Sequence, residues 1–197
     1  PSNPMLKCVN IKKISKIAKK LNIPLIVDDT IGSNLNINSI EHADIVFTSL
    51  TKIFSGSGDI LAGSLILNPK SKWIDQFRNA LNEINIPILS DGDIVYLEKV
   101  SRDVNQRVFE QNKACLELKK RLETHSEIKN IFHPENCPNF NSLLTSNGGY
   151  GCLLSFELNG GLNKAKKFYD SLKVSKGPSL GTKFTLVCPY VLLAHYD

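Results

Sequence analysis

The chain has 197 residues, 42% of them hydrophobic and 22% charged, which suffices for one large domain or two small ones with a sizeable core. These proportions exclude disordered, collagen-like and coiled-coil classes. The net charge of +5 is spread along the chain, and its densest clusters, Lys12-Lys13-Lys16-Lys19-Lys20 and Lys119-Lys120-Arg121, lie on helix-like patterns without interleaved aromatics, so they read as solvated faces and not as a nucleic-acid surface.

In chain order, Asn10 caps a predicted helix through Leu21, with Ile11, Ile14, Ile17, Ala18 and Leu21 on one face and lysines on the other. Asn22 and Pro24 stop it. "PLIVDD", "ADIVFTS" and "AGSLILN" follow as short apolar runs between turn signals, the pattern of buried strands in an α/β sheet. Residues 70–83 predict a helix, with Trp73, Phe77 and Leu81 four apart, and "INIPILSDG" breaks it before Ser90 or Asp91 caps the next segment. From Asp93 to about His125 the pattern is helical without Pro or Gly. Strand-like "CLLSFEL", a helix over 162–172 and the apolar "FTLVCPYVLLAHYD" complete the chain. The expected division is 1–88 as half of an α/β domain, 89–125 as a long connecting helix, and 126–197 as the beginning of an α+β domain.

The five cysteines are scattered and form no C-x-x-C, which points to reduced thiols in a cytoplasmic compartment and away from a disulfide frame. No H-E-x-x-H occurs, so no metal site is expected; no apolar run suits a membrane span, and no signal-peptide plan opens the chain. The start on Pro1 reads as that of a piece of a longer protein.

"TSLTKIFSGSGD" poses the chemical question. Lys52 stands among Ser49, Thr51 and a Ser/Gly turn at the end of the second predicted strand, and Asp28 ends the first. Ligands of open α/β sheets lie beyond the carboxyl ends of strands, so these residues can line one crevice. A carboxylate there is costly unless paired with a cation. The hydroxyls and the N–H groups of the turn suit phosphate oxygens. A lysine for a Schiff base, an acid for a pyridine nitrogen and a phosphate cup are what pyridoxal phosphate requires. The bland alternative is a solvent-exposed lysine and a turn-capping aspartate. "GSG" is too short for a dinucleotide fingerprint, and G-x-x-x-x-G-K-[ST] is absent.

The segments "PSNP", "PLIVDDTI", "ADIVFTSLTKIFSGSGDILAGSLI" and "SLGTKFTLVCPYVLLAHY" together resemble the Cys/Met-metabolism (trans-sulfuration) family of pyridoxal-phosphate enzymes, above all its fungal cystathionine γ-synthase-like branch. The family pattern is P-S/T-N-P, V-D-N-T-F, G-A-D-I-V and S-x-T-K-x-x-x-G-H-x-D-x-x-G-G. The match is densest in residues 1–68 and weak across 70–175. The resemblance implies a type I pyridoxal-phosphate transferase fold, here part of the large domain plus the start of the small one. It implies that Lys52 forms the Schiff base and then moves protons at the substrate's α and β carbons, that Asp28 keeps the pyridine nitrogen protonated, and that Ser49 and Thr51 hold the phosphate. Asn3 would approach the cofactor's 3′-oxygen, and Ser179 would help hold the substrate carboxylate. Asp29 stands where the family has asparagine and Ser57 where it has histidine; Asp59 and Gly63 match the pattern.

The implied function is a γ-replacement synthase joining cysteine to an activated homoserine, in a homo-oligomer acting on small amino-acid substrates with no nucleic acid or membrane as partner. A β- or γ-lyase and a sulfide-using sulfhydrylase are the alternatives on the same scaffold, and a non-catalytic paralogue is the alternative of another class. The upstream phosphate loop, the ring-stacking tyrosine and the downstream carboxylate-binding arginine of the family are not in this stretch, so the polypeptide alone is expected to be inactive.

Overall fold

In a computed structural model, which describes residues 1–84 and 89–194, the first helix, α1, covers Ile11–Leu21. The Asn10 side chain accepts from the Lys13 N–H at 2.9 Å, and Asn22 ends the helix in the left-handed conformation. Ile11 and Ala18 are buried, whereas Ile17 and Leu21 of the same predicted stripe are 56% and 64% exposed.

The three apolar runs form one sheet in the order β1 (Ile26–Asp28), β2 (Ile45–Ser49), β3 (Gly63–Leu67). β1 and β2 are parallel, with Asp28 opposite Phe47, while β3 returns antiparallel, with Gly63 opposite Ser49. The β1–β2 crossover is a folded loop whose Asn36 and Ile37 are almost fully buried. Between β2 and β3 lies a wide, π-type turn, Leu50–Phe54, which carries Lys52.

α2 (Ile74–Glu83) follows, shorter at its start than the predicted 70–83 helix because the chain enters through a turn at Ser71, whose hydroxyl accepts from the Trp73 N–H at 3.1 Å. The predicted break at 85–88, and with it the expected boundary at 88, lies outside the described residues, as do 195–197 of the last apolar run. The predicted continuous helix from Asp93 to His125 is instead two, α3 (Asp91–Ser101) and α4 (Val104–Glu123). Arg107 holds the junction: the Val100 carbonyl at the end of α3 accepts from its guanidinium at 3.1 Å, and Asp103, not a helical residue, leads into α4.

Two further strands, β4 (Ile128–Phe132) and β5 (Ser155–Leu158), pair antiparallel, with the short helix α5 (Pro138–Asn141) between them in sequence. α6 (Gly161–Ser171), the two-residue strands β6 (Ser175–Lys176) and β7 (Leu186–Val187), and α7 (Tyr190–Ala194) complete the described chain.

The principal apolar cluster joins sequence-distant segments: Ile11 and Ile37 pack with Cys137, Phe140 and Leu143, and Leu25, Val27 and Tyr150 flank them. Asn36 fastens the same region to α4. Its Oδ1 accepts from Asn112 Nδ2 at 2.7 Å and from the Gly149 N–H at 3.0 Å, satisfying a nearly inaccessible amide. The crossover loop, α4 and residues 143–151 are thereby joined by hydrogen bonds.

Candidate active site

The parallel pairing of β1 and β2 brings Asp28 and Ser49 to the same end of the sheet. A short relay links them: Asp28 Oδ1 accepts from the Thr30 N–H at 2.9 Å, and Thr30 Oγ1 accepts from the Ser49 N–H at 2.9 Å. This uses one oxygen of the exposed Asp28 carboxylate and leaves the other without a hydrogen bond among the described residues. Among the described residues no hydrogen bond or ion pair joins Asp28 to Lys52. Thr51 Oγ1 accepts from the Ala62 N–H at 3.3 Å, which ties the start of the lysine turn to the entrance of β3.

Lys52 interrupts the turn, with φ −92° and ψ −116°. Its half-buried amine donates to Ser179 Oγ at 3.4 Å, across 127 residues of sequence. Gly58, at φ +73°, comes so close that an added Cβ would lie 3.6 Å from Ser179 Oγ. The stretch around Ser179 is seated on the turn by two further contacts. Gly181 packs directly against the Ile53 backbone, and the Lys183 N–H donates to the Gly56 carbonyl at 2.7 Å. Asn3 is exposed; its carbonyl accepts from the Tyr190 hydroxyl at 3.3 Å, and none of its described hydrogen bonds reaches Lys52 or Asp28.

The two positions that depart from the family pattern have defined surroundings. Asp29 is 1% exposed; Ser39 Oγ donates to its Oδ2 at 3.1 Å, and Oδ1 has no partner among the described residues. Burial pushes its carboxyl up to about 7, with the Ser39 hydrogen bond opposing. Ser57 and Asp59 meet Tyr96 of α3: the Tyr96 hydroxyl donates to Asp59 Oδ2 at 2.5 Å and lies 3.1 Å from Ser57 Oγ. Hydrogen bonds from Ser57 and Tyr96 hold the Asp59 carboxyl below its ordinary value.

Sequence reasoning passed over Arg107. It is 7% exposed and on α4, where it donates to the carbonyls of Ile53 at 2.6 Å, Phe54 at 3.0 Å and Val100 at 3.1 Å, besides pairing with Asp103 at 3.2 Å. The available signal was a cation three residues after Val104 and next to Val108 in the helical pattern.

The donor set suits pyridoxal phosphate on its own terms. A lysine amine with a single long hydrogen bond faces a hydroxyl; two more hydroxyl residues and a glycine-containing turn stand beside it; and a strand-terminal carboxylate has an oxygen to spare. Among the described residues no group of three or more His, Cys, Asp or Glu is arranged to hold a metal ion, and no helix is long and apolar enough to cross a membrane.

Similarity to known structures defines the class of fold first. The chain superposes on a crystal structure of cystathionine gamma synthase from Xanthomonas oryzae pv. oryzae with a TM-score of 0.84 at 24% identity, covering 99% of this chain and 51% of that one. The fold is thus, in part, the α/β fold of that enzyme structure. Sequence then supplies the family. Residues 1–195 match the model of the Cys/Met metabolism PLP-dependent enzymes, and the chain belongs to that family. Over its whole length it is 37% identical to cystathionine gamma-synthase of Neurospora crassa and 37% identical to that of Saccharomyces cerevisiae, 32% of each being covered. The chain therefore spans about a third of the length of the curated relatives it matches.

Proposed function

We propose that the full-length gene product is a pyridoxal-phosphate-dependent γ-replacement synthase of the cystathionine gamma-synthase type, joining cysteine to an activated homoserine. The reading is carried by one observation. The Lys52 amine and the Ser179 hydroxyl meet at the end of the β1–β2 pair, in a chain 37% identical along its whole length to two fungal cystathionine gamma-synthases.

When bound, pyridoxal phosphate supplies an electron-withdrawing ring that stabilises negative charge at the substrate's α carbon. The chain's own residues hold, orient and move protons around it. Ser49 and Thr51 would hold the phosphate, and Asp28, fixed on one oxygen by the Thr30 relay, would pair its spare oxygen with the pyridine nitrogen. Asn3 would help hold the ring's oxygen substituent. Lys52 would be the residue that holds the coenzyme's aldehyde carbon, and its amine, when free, would be the base placed to take the proton from Cα and, after giving that proton up, one from Cβ. Ser179, already within reach of that amine, orients the substrate carboxylate. The working unit in this reading is a homo-oligomer in the cytoplasm, and the chain's five free thiols agree with a reducing compartment.

Incubation of the full-length protein with the cofactor, cysteine and an O-acyl-homoserine tests the reading. The expected product is cystathionine. Release of ammonia and a keto acid without cystathionine would assign a lyase, and preferential use of inorganic sulfide would assign a sulfhydrylase.

A further inference from the structure

We propose that Arg107 is a positioning residue for the Lys52 amine, its buried guanidinium holding the backbone that aims Lys52 at the cofactor and at Ser179. The inference rests on the cofactor reading above and extends it to a residue outside the cofactor's contacts.

The turn that carries Lys52 satisfies only part of its own backbone, the carbonyls of Leu50, Thr51 and Lys52. Its ladder is interrupted at Lys52; the Ser55 N–H reaches back to the Leu50 carbonyl and the Gly56 N–H to that of Lys52. The next two carbonyls, of Ile53 and Phe54, are the terminal acceptors such a segment leaves over. Arg107 takes both, Nη1 from Ile53 at 2.6 Å and Nη2 from Phe54 at 3.0 Å. No other side chain has that geometry: the planar fork presents several donors in fixed directions, which a lysine ammonium cannot reproduce.

A purely structural account fits poorly. Burying a guanidinium carries a large desolvation penalty, and well-packed apolar residues of similar volume often serve stability better. The partner carboxylate does not offset that cost by itself, since the side chain of Asp103 is 56% exposed against 7% for Arg107. The buried charge is spent instead on three carbonyls, two of them directly after Lys52.

The turn is also held by the segment that bears Ser179. A Cβ on Gly56 would meet Arg107 Nη1 at 2.7 Å and Lys183 Cγ at 3.1 Å, the Gly56 carbonyl accepts from the Lys183 N–H, and Gly181 lies on the Ile53 backbone. The turn is thereby clamped between α4 and the segment that bears Ser179. Moving the guanidinium moves Lys52 relative to Ser179.

The experiment uses the full-length protein and reads the link between Lys52 and the coenzyme. Nζ bonds to the aldehyde carbon with loss of water, and hydride from borohydride then fixes that bond as a secondary amine, which mass spectrometry counts at Lys52 against total coenzyme bound. In Arg107→Lys the trapped fraction falls on the order of ten-fold while total coenzyme bound stays close to wild type. Gly56→Ala, which at φ +71° strains the turn and presses on both the guanidinium and Lys183, lowers the fraction in the same direction. Asp103→Asn, which weakens the exposed carboxylate's ion pairs with Arg107 and Lys183 and leaves the guanidinium on its carbonyls, leaves it unchanged. An unaltered trapped fraction in Arg107→Lys and Gly56→Ala overturns the proposal, and so does loss of bound coenzyme in step with loss of fold in both.

A wild-type protein that takes up no pyridoxal phosphate would instead refute the cofactor reading. The positioning role is then decided by the rate at which acetic anhydride acylates Lys52 relative to the other lysines. A rate altered selectively at Lys52 in the two variants supports it, and an unchanged one overturns it.

Discussion

Asp29 occupies a place where a neutral side chain would be at ease. One oxygen has the Ser39 hydroxyl, the other has no described partner, and a Cβ on Gly32 would come within 2.4 Å of it. With the folded carboxyl pushed up to about 7 from an ordinary 3.8, the native state holds a proton across that interval which the unfolded chain has released. Stability associated with Asp29 is therefore present below about pH 4, falls as the pH rises towards 7, and is flat above. Asp29→Asn, which restores the family's residue, should stabilise the full-length protein above neutrality by on the order of 3 kcal/mol and have little effect near pH 4. Denaturant unfolding of both proteins across this range checks it, and a pH-independent difference would contradict it. Lys52 and Ser49 call for a different comparison. Lys52→Ala should abolish turnover and the yellow colour of the cofactor-linked protein. Ser49→Ala removes one charge-assisted hydrogen bond and should weaken cofactor binding by about 1–3 kcal/mol with turnover retained at saturation. Cofactor titration with steady-state kinetics separates the two, and equal damage from both would refute the assigned roles.

The elements differ in how far local sequence could announce them. Asn10, the alternation of apolar runs with turns, and the absence of Pro or Gly after Asp93 are local signals, and α1, the three strands and the helical character of 91–123 follow from them. The break between α3 and α4 has no such mark. It depends on Arg107 reaching back to the Val100 carbonyl and across to Ile53 and Phe54, a contact made over more than fifty residues of chain. The Lys52–Ser179 pair was legible only as two motifs whose residue types fit one cofactor; the turn that brings them together is set by long-range packing. Gly181 shows that packing most directly. At φ +77° an added Cβ would lie 2.6 Å from the Ile53 backbone nitrogen, whereas at Gly58, φ +73°, the nearest atom is Ser179 Oγ at 3.6 Å. Gly58→Ala should cost only the left-handed backbone penalty, about 1 kcal/mol. Gly181→Ala must also displace backbone and should cost roughly 2 kcal/mol or more, lowering cofactor affinity as the Ser179 segment lifts from the turn. Thermal unfolding and cofactor titration of the two alanine variants test the contrast, and equal losses would show that the close approach to Ile53 is easily relieved.

Across the whole molecule, the apolar surface is unevenly covered. The cluster of Ile11, Ile37, Cys137, Phe140 and Leu143 is closed on itself, but the three-stranded sheet presents Ile26, Phe47, Leu65 and Ile66 partly or largely exposed, and Leu61 beside it is 88% exposed. Among the described residues β1 and β3 each pair only with β2, so both edges of the sheet are open. Unpaired backbone at a sheet edge, next to apolar side chains, is a template for association with another chain. The expectation is that residues 1–197 produced alone bind a hydrophobic dye, sediment as a distribution of assemblies and show no turnover with cysteine and O-acyl-homoserine. The full-length protein should bind little dye and sediment as one species. The comparison isolates the cause, because both proteins contain the same Lys52 turn and the same Ser179 contact. A monodisperse, dye-silent 197-residue chain would show that the exposed sheet face is tolerated in water, and turnover by that chain would show that the catalytic groups named here suffice without further residues.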